Sequence, residues 1–97
     1  MSYEKILAED RRLVILRFLS EAPAHSANES VLETALTTIG HIVTRKVVRE
    51  DIDFLSNAGC ITTEWFQDVT IVATLTRRGK YAAEGKEKVN GIKLPSL

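Results

Sequence analysis

Thr44-Arg45-Lys46-Val47-Val48-Arg49-Glu50-Asp51-Ile52-Asp53-Phe54-Leu55-Ser56-Asn57-Ala58-Gly59-Cys60-Ile61 is the stretch in which the hydrophobic period of the chain changes. Up to Ala58 the apolar residues recur at helical spacing: Val48, Ile52 and Leu55 form one seam, and Val47, Phe54 and Ala58 widen it. Thr44 suits the N-cap of this helix, because its hydroxyl can accept a bond from a backbone N–H in the first turn. Gly59 ends it. Beyond Gly59 the period drops to two. Ile61, Thr63 and Trp65 share one face of a strand over 60–66, and Val69, Ile71, Ala73 and Leu75 share one face of a returning strand over 69–75. Gln67-Asp68 is the tip of this hairpin; without glycine, its turn type stays open.

Upstream, Val31, Leu32, Ala35, Leu36 and Ile39 make a single-face helical stripe, followed by Gly40 for a left-handed C-terminus and a tight turn of His41-Ile42-Val43. This helix starts near 26–30, where Ser26 with Glu29 and Ser30 with Glu33 both fit a capping box. A linker at 21–27 contains Pro23, and residues 24–26 are placed to pair as a short strand beside the hairpin. The first helix spans about 2–20. From Leu13 to Leu19 it is apolar around most of its circumference, more than a helix covering one neighbour needs. It is either central to the domain or in contact with a second copy, and a homodimer through this helix is the expectation. Downstream, Thr76 caps a short helix that runs to about Glu84, with Gly85 after it. Residues 89–97 hold Gly91 and Pro95 and no period, a tail either loose or laid extended over a neighbour. The order helix, helix, turn, helix, hairpin, helix predicts an α+β winged helix-turn-helix: a three-helix core, a two-stranded wing hairpin and a short C-terminal helix. Residues 1–88 form the domain and 89–97 an extended C-terminal tail.

Charge is distributed unevenly within a net of zero. Residues 41–49 carry Arg45, Lys46 and Arg49 and no acid, whereas 50–76 carry Glu50, Asp51, Asp53, Glu64 and Asp68 and no base. Because the local field decides whether a polyanion can dock, any nucleic-acid contact should come from 41–49, with a weaker contribution from the basic residues after 77. The outward arc of the third helix collects Arg45, Lys46, Arg49, Glu50, Asp53, Ser56 and Asn57. Asp51 falls near the apolar side and calls for an arginine partner, with Arg77 and Arg78 as candidates.

The chain offers little to an enzyme. It has no glycine-rich phosphate loop, no nucleophile elbow and no paired carboxylates in an evident cleft. His25, His41 and Cys60 lack any metal-ligand spacing, so no metal or other cofactor is expected. Cys60, just after the helix-ending glycine, reads as a small buried apolar residue. No apolar run approaches the ~20 residues of a membrane span. The start has no basic segment leading into a hydrophobic one, and a single cysteine makes no internal disulfide, so the cytoplasm is the expected compartment.

The segments Leu55-Ser56-Asn57-Ala58-Gly59-Cys60-Ile61 and Leu75-Thr76-Arg77-Arg78-Gly79 resemble the recognition-helix-to-wing and Leu-Thr-x-x-Gly segments of bacterial winged-helix regulators. Over nearly its full length the chain also resembles small winged-helix-like proteins of Mu-like bacteriophages and prophages. The residues that carry this are Arg12-Leu13-Val14-Ile15-Leu16, Ser26-Ala27-Asn28-Glu29-Ser30, Val72-Ala73-Thr74-Leu75-Thr76, Ala83-Glu84-Gly85 and Gly91-Ile92-Lys93 with Pro95. The resemblance implies a phage setting in a bacterial host. By analogy with the regulators it also implies a recognition helix at 44–58, with Thr44, Arg45, Lys46 and Arg49 towards double-stranded DNA. The departure is the wing. Its tip commonly carries Arg or Lys in DNA-binding members, and here Glu64 and Asp68 flank Trp65, Phe66 and Gln67.

Two functions follow as expectations. In the first, a non-enzymatic DNA-binding protein enters the major groove with the third helix, arginines forking onto guanine or neutralising phosphate. The bland alternative for those cations is a solvated face with pairs such as Arg49–Asp53 and Lys46–Glu50. In the second, the chain is a protein-interaction module in phage assembly or DNA packaging, with Trp65, Phe66 and Gln67 as the contact surface and a phage protein as partner.

Overall fold

The computed structural model describes residues 2–95 and is built of four α-helices and a three-stranded antiparallel sheet. Helix α1 (Tyr3–Glu21) leads through a single 3-10 turn at Pro23–His25 into strand β1 (Ser26–Asn28). Helices α2 (Glu29–Ile39) and α3 (Arg45–Asn57) follow, then the hairpin β2 (Ile61–Phe66) and β3 (Thr70–Leu75), and helix α4 (Arg77–Glu84). The sheet order is β1-β3-β2, so β3 is central and the short β1 closes its second edge. No helix among the described residues is long and apolar enough to cross a membrane.

Each helix start has a side-chain acceptor for an otherwise unpaired N–H. Ser2 accepts from the Lys5 amide, Asn28 from Val31, Thr44 from Val47 and Thr76 from Gly79. The cap of α2 is therefore Asn28, and neither Ser26 nor Ser30. Ser26 is occupied in the sheet, where its hydroxyl bonds the Ala73 carbonyl and Thr74. The strand expected at 24–26 lies instead at 26–28, paired with Val72, Ala73 and Thr74. Pro23 and the left-handed Ala24 and His25 (φ 56° and 54°) turn the chain before it can pair.

The core draws on all four helices and the hairpin: Leu13, Leu16 and Leu19 of α1, Leu32 and Leu36 of α2, Val48, Ile52 and Leu55 of α3, Ile61 of β2, Ala73 of β3 and Ala82 of α4. Cys60 is fully buried, and burial pushes its thiol pKa up, which leaves it a poor nucleophile. The Leu-Thr-x-x-Gly segment has a steric basis. Thr76 caps α4 and its amide bonds the Cys60 carbonyl, which brings that carbonyl against Gly79; any Cβ at 79 would overlap its oxygen.

The segment set apart as a tail packs on the same body. Val89 and Ile92 belong to the core, the Lys93 amide bonds the Glu9 carbonyl, and Arg12 donates to the Gly91 carbonyl at 2.9 Å. Gly91 (φ 88°) lies flat against the Phe54 ring, where a side chain would collide, and the Arg12 guanidinium covers that ring 3.7 Å from its centroid. Buried Asp51 faces this region. Its partners are Arg11, at 2.6 Å, and Arg12, at 3.3 Å, in place of the expected Arg77 or Arg78. Arg78 instead meets Glu87 at 3.3 Å. Helix α1 packs against α3 and brings Arg11 and Arg12 to Asp51.

Candidate interaction surface

The leading end of α3 carries the candidate cations. Its capping hydroxyl on Thr44 holds the Val47 amide at 3.3 Å, and Arg45, Lys46 and Arg49 point away from the core seam of Val48, Ile52 and Leu55. Two of the three cations are spoken for. Arg45 Nε donates to Glu33 Oε1 at 2.5 Å. Arg49 makes a two-pronged contact with Glu29, Nε to Oε1 at 2.6 Å and a terminal nitrogen to Oε2 at 3.1 Å. The pairs therefore run across to α2, and the within-helix pairs Arg49–Asp53 and Lys46–Glu50 do not form. Lys46 alone of the three makes no ion pair among the described residues.

Glu29 is the unusual member of this group. It is fully buried at the first turn of α2, and its Oε2 also accepts from the Thr70 hydroxyl at 3.2 Å and the Ile71 amide at 3.0 Å. It thereby ties α2, α3 and β3 together. The Arg49 hydrogen bond, helped by the Ile71 amide and opposed by burial, lowers the Glu29 pKa to about 2. The carboxylate is anionic throughout the physiological range. With Glu29 and Glu33 both engaged, the three positive charges at the head of α3 are offset by two negative ones. What faces solvent there is close to a single positive charge.

The hairpin tip is finished differently. Gln67 and Asp68 both adopt left-handed backbone (φ 52° and 56°), and the Val69 amide bonds the Phe66 carbonyl at 3.1 Å, which makes a type I′ turn. Trp65 is 54% exposed, Phe66 59% and Val69 72%. Trp65 stands opposite Ile71 on one face of the ribbon, where the Arg49 guanidinium lies 5.3 Å from its ring. Phe66 stands opposite Thr70 on the other face. The expected sharing of a face by Ile61, Thr63 and Trp65 agrees with the register. Only Ile61 of the three is buried, because the ribbon projects beyond the helices. Glu64 and Asp68 border the aromatic pair, and no base lies between 50 and 76. Thr44, Arg45, Lys46 and Arg49 thus gather at one end of α3, and Trp65, Phe66 and Gln67 at the projecting tip, with Arg49 bridging the two groups.

Sequence reasoning missed the burial of Glu29. The signal was present: Glu29, Leu32 and Leu36 stand at i, i+3 and i+7, one helical face, and this is the face that is buried. Of the expected stripe, Leu32 and Leu36 are buried and Ala35 is half-buried, whereas Val31 and Ile39 at its edge face outward. The second polar node, His41 Nε2 with Asp10 at 2.7 Å and Lys93 with the same carboxylate at 3.3 Å, locks the α2–α3 turn and the C-terminal segment to α1. Chiefly through the His41 bond, it lowers the Asp10 pKa.

No family model matches the chain. It is 48% identical over 90 residues to the uncharacterized protein gp26 of Escherichia phage Mu, an alignment that covers 93% of this chain and 92% of the relative. It is 40% identical over 78 residues to an uncharacterized protein of Haemophilus influenzae, covering 80% of this chain and 76% of that one.

Proposed function

The chain belongs to a family of Mu-like phage proteins, and on that footing we propose a non-enzymatic winged-helix interaction module whose hairpin tip seats in a protein partner. The order α1-β1-α2-α3-β2-β3 with a β1-β3-β2 sheet supports the winged-helix reading. The observation that carries the functional part is the pair Trp65 and Phe66, each more than half exposed at the end of a projecting ribbon and bordered by acids. Water-exposed adjacent rings on a stiff element suit a partner pocket, because they bring large contact area at little entropic cost. Glu64 and Asp68 favour a pocket with a basic rim and repel a phosphate backbone.

The test is site-specific photo-crosslinking in phage-producing cells, with a photoreactive phenylalanine analogue at position 66 and, as control, at the exposed Lys80 of α4. A discrete adduct to a phage protein that forms from 66 and not from 80, and is lost in Trp65→Ala, supports the module. Adducts of equal yield from both positions sink it.

DNA binding through α3 is the second reading, favoured by one observation: Lys46 makes no ion pair among the described residues, and the Arg45 and Arg49 side chains remain 44% and 42% exposed. Duplex phosphate would have to displace Glu33 and Glu29. Only one to three cations per chain are in play, so the log–log salt slope should be shallow, roughly −1 to −3 per chain. Fluorescence anisotropy on random duplex decides the matter. Lys46→Glu with Arg45→Ala is the proper control, since Arg49→Ala would also strand Glu29. No binding at ~50 mM salt and micromolar protein removes this reading.

A further inference from the structure

Helices α1 and α2 leave between them an open groove of about 630 Å³. Its floor is Val14 and Phe18 of α1 with Val31, Ala35 and Ile39 of α2. Val31 is 43% exposed and Ile39 63%, although both lie on the stripe that the amphipathic pattern of α2 marks as inward. The groove is poorly suited to a small molecule. Of its polar groups, the Thr34 and Thr38 hydroxyls are already bonded to the Ser30 and Thr34 carbonyls one turn back, so the polar groups left to meet an occupant are the Ser30 hydroxyl and the charges of Arg17 and Glu21.

Its rim is informative. Arg17 and Glu21 stand four residues apart on the exposed edge of α1, and neither makes an ion pair within the chain among the described residues, although most other arginines do. A rim with one charge of each sign has no net preference for an acidic or a basic partner. It is complementary to itself, because a two-fold axis beside Phe18 sets Arg17 of each subunit against Glu21 of the other. Such reciprocity is the mark of an isologous contact.

We propose that the α1–α2 groove is a two-fold homodimer interface, closed by reciprocal Arg17–Glu21 pairs around an apolar centre of Phe18, Val31 and Ile39. A stable contact of this kind buries ~800 Å² per subunit, about an eighth of the 6065 Å² surface of the chain. Side by side, α1 and α2 are ~28 Å and ~16 Å long at 1.5 Å per residue, enough to supply it. The contact is separate from the hairpin, so dimerisation leaves both wings free, one per subunit, and the partner reading and the dimer stand or fall independently.

Sedimentation equilibrium between ~1 and ~200 μM tests this. The expected mass at the upper end is twice the 10.8 kDa of the chain. Arg17→Glu and Glu21→Arg should each weaken the dimer at least about tenfold by setting like charges face to face, and the double swap should recover most of that loss. Ile39→Glu, at a position exposed in the monomer and with circular dichroism unchanged, should give monomer alone. A wild-type mass of 10.8 kDa throughout overturns the proposal. So does a dimer indifferent to Ile39→Glu, or a double swap as weak as the single ones. Trp65→Ala should leave the mass unchanged; a monomeric Trp65→Ala would move the interface to the hairpin and refute the groove.

Discussion

The head of α3 and the tip of the hairpin are joined by one residue, Arg49, yet they spend their side chains in opposite ways. At the head of α3, Arg49 closes on buried Glu29 and Arg45 on Glu33, so charge is satisfied inside the molecule. At the tip, two aromatic rings are left to water and two non-glycine residues hold left-handed backbone. Arg45 ties α3 to α2, and Arg49 through Glu29 ties both to β3, while Lys46 makes no ion pair among the described residues. The ribbon joins that hydrogen-bond network only at Thr70 and Ile71 of β3, whereas the Trp65 and Phe66 rings on β2 opposite them stay exposed, and that contrast supports the proposal of a partner at the hairpin tip.

The sharpest way to break the polar side of this comparison is to empty its two buried carboxylates in turn. Asp51→Ala should cost the most, ~3–5 kcal/mol, because Arg11 and Arg12 are only 13% and 18% exposed at the side chain and cannot reach water without moving α1. Glu29→Ala should cost less, ~2–3 kcal/mol. Arg49 is 42% exposed and can turn outward, which leaves the Ile71 amide and Thr70 hydroxyl as the main loss. Urea unfolding of the two variants would measure the difference, and equal losses would mean that partner exposure does not govern these sites. Acid titrates the same node. The Glu29 pKa lies at about 2 in the folded chain, against 4.5 as its ordinary value. Its stabilisation is therefore fully present above pH ~4.5 and is lost as pH falls towards ~2. Asp10, also lowered, adds to the loss in the same direction. Glu29→Gln should flatten the fall in urea midpoint between pH 5 and pH 3; an unchanged slope would assign the acid sensitivity elsewhere.

How much of this was legible follows from which interactions are local. Thr44, Thr76, Gly40 and Gly85 were readable as caps, because capping is settled within four residues. The α3 seam and the hairpin faces were readable because period alone fixes them. What escaped were choices between near-equivalent local options that tertiary contacts decide. Ser26, Asn28 and Ser30 are all competent caps, and pairing of Ser26 with β3 left the role to Asn28. The α2 face was placed correctly at Leu32 and Leu36 but centred too far towards Val31 and Ile39, because a buried glutamate breaks the hydrophobic rule that marks the inside. Arg11 and Arg12 lie 40 and 39 residues from Asp51, a pairing that no spacing rule reaches. Whether the candidate cations were free or paired was equally non-local, since Glu29 and Glu33 come from another helix.

The apolar side of the comparison can be sharpened at lower cost. Gln67→Asn with Asp68→Gly substitutes residues that accept positive φ more readily, and the type I′ geometry already fits the strand twist. The double variant should gain about 1 kcal/mol, or ~4–8 °C in melting temperature, without altering contact by the rings. A loss of stability would mean that the Gln67 and Asp68 side chains contribute bonds that outweigh the backbone strain.

Phe66→Ala should have the smallest effect on folding, within about 0.5 kcal/mol, because the ring is 59% exposed and pairs only with Thr70 across the strand. Trp65→Ala should cost slightly more, since it also removes the contacts with Ile71 and Arg49. If the tip is a partner site, both changes should weaken partner binding by ~2 kcal/mol or more, several times their effect on stability. The ratio of the two effects is what separates the regions. At Asp51 and Glu29 a substitution reaches function only through the fold, so binding and stability should fall together. At Phe66 they should come apart, and a Phe66→Ala chain that unfolds as easily as Glu29→Ala would make the tip a structural element like the rest.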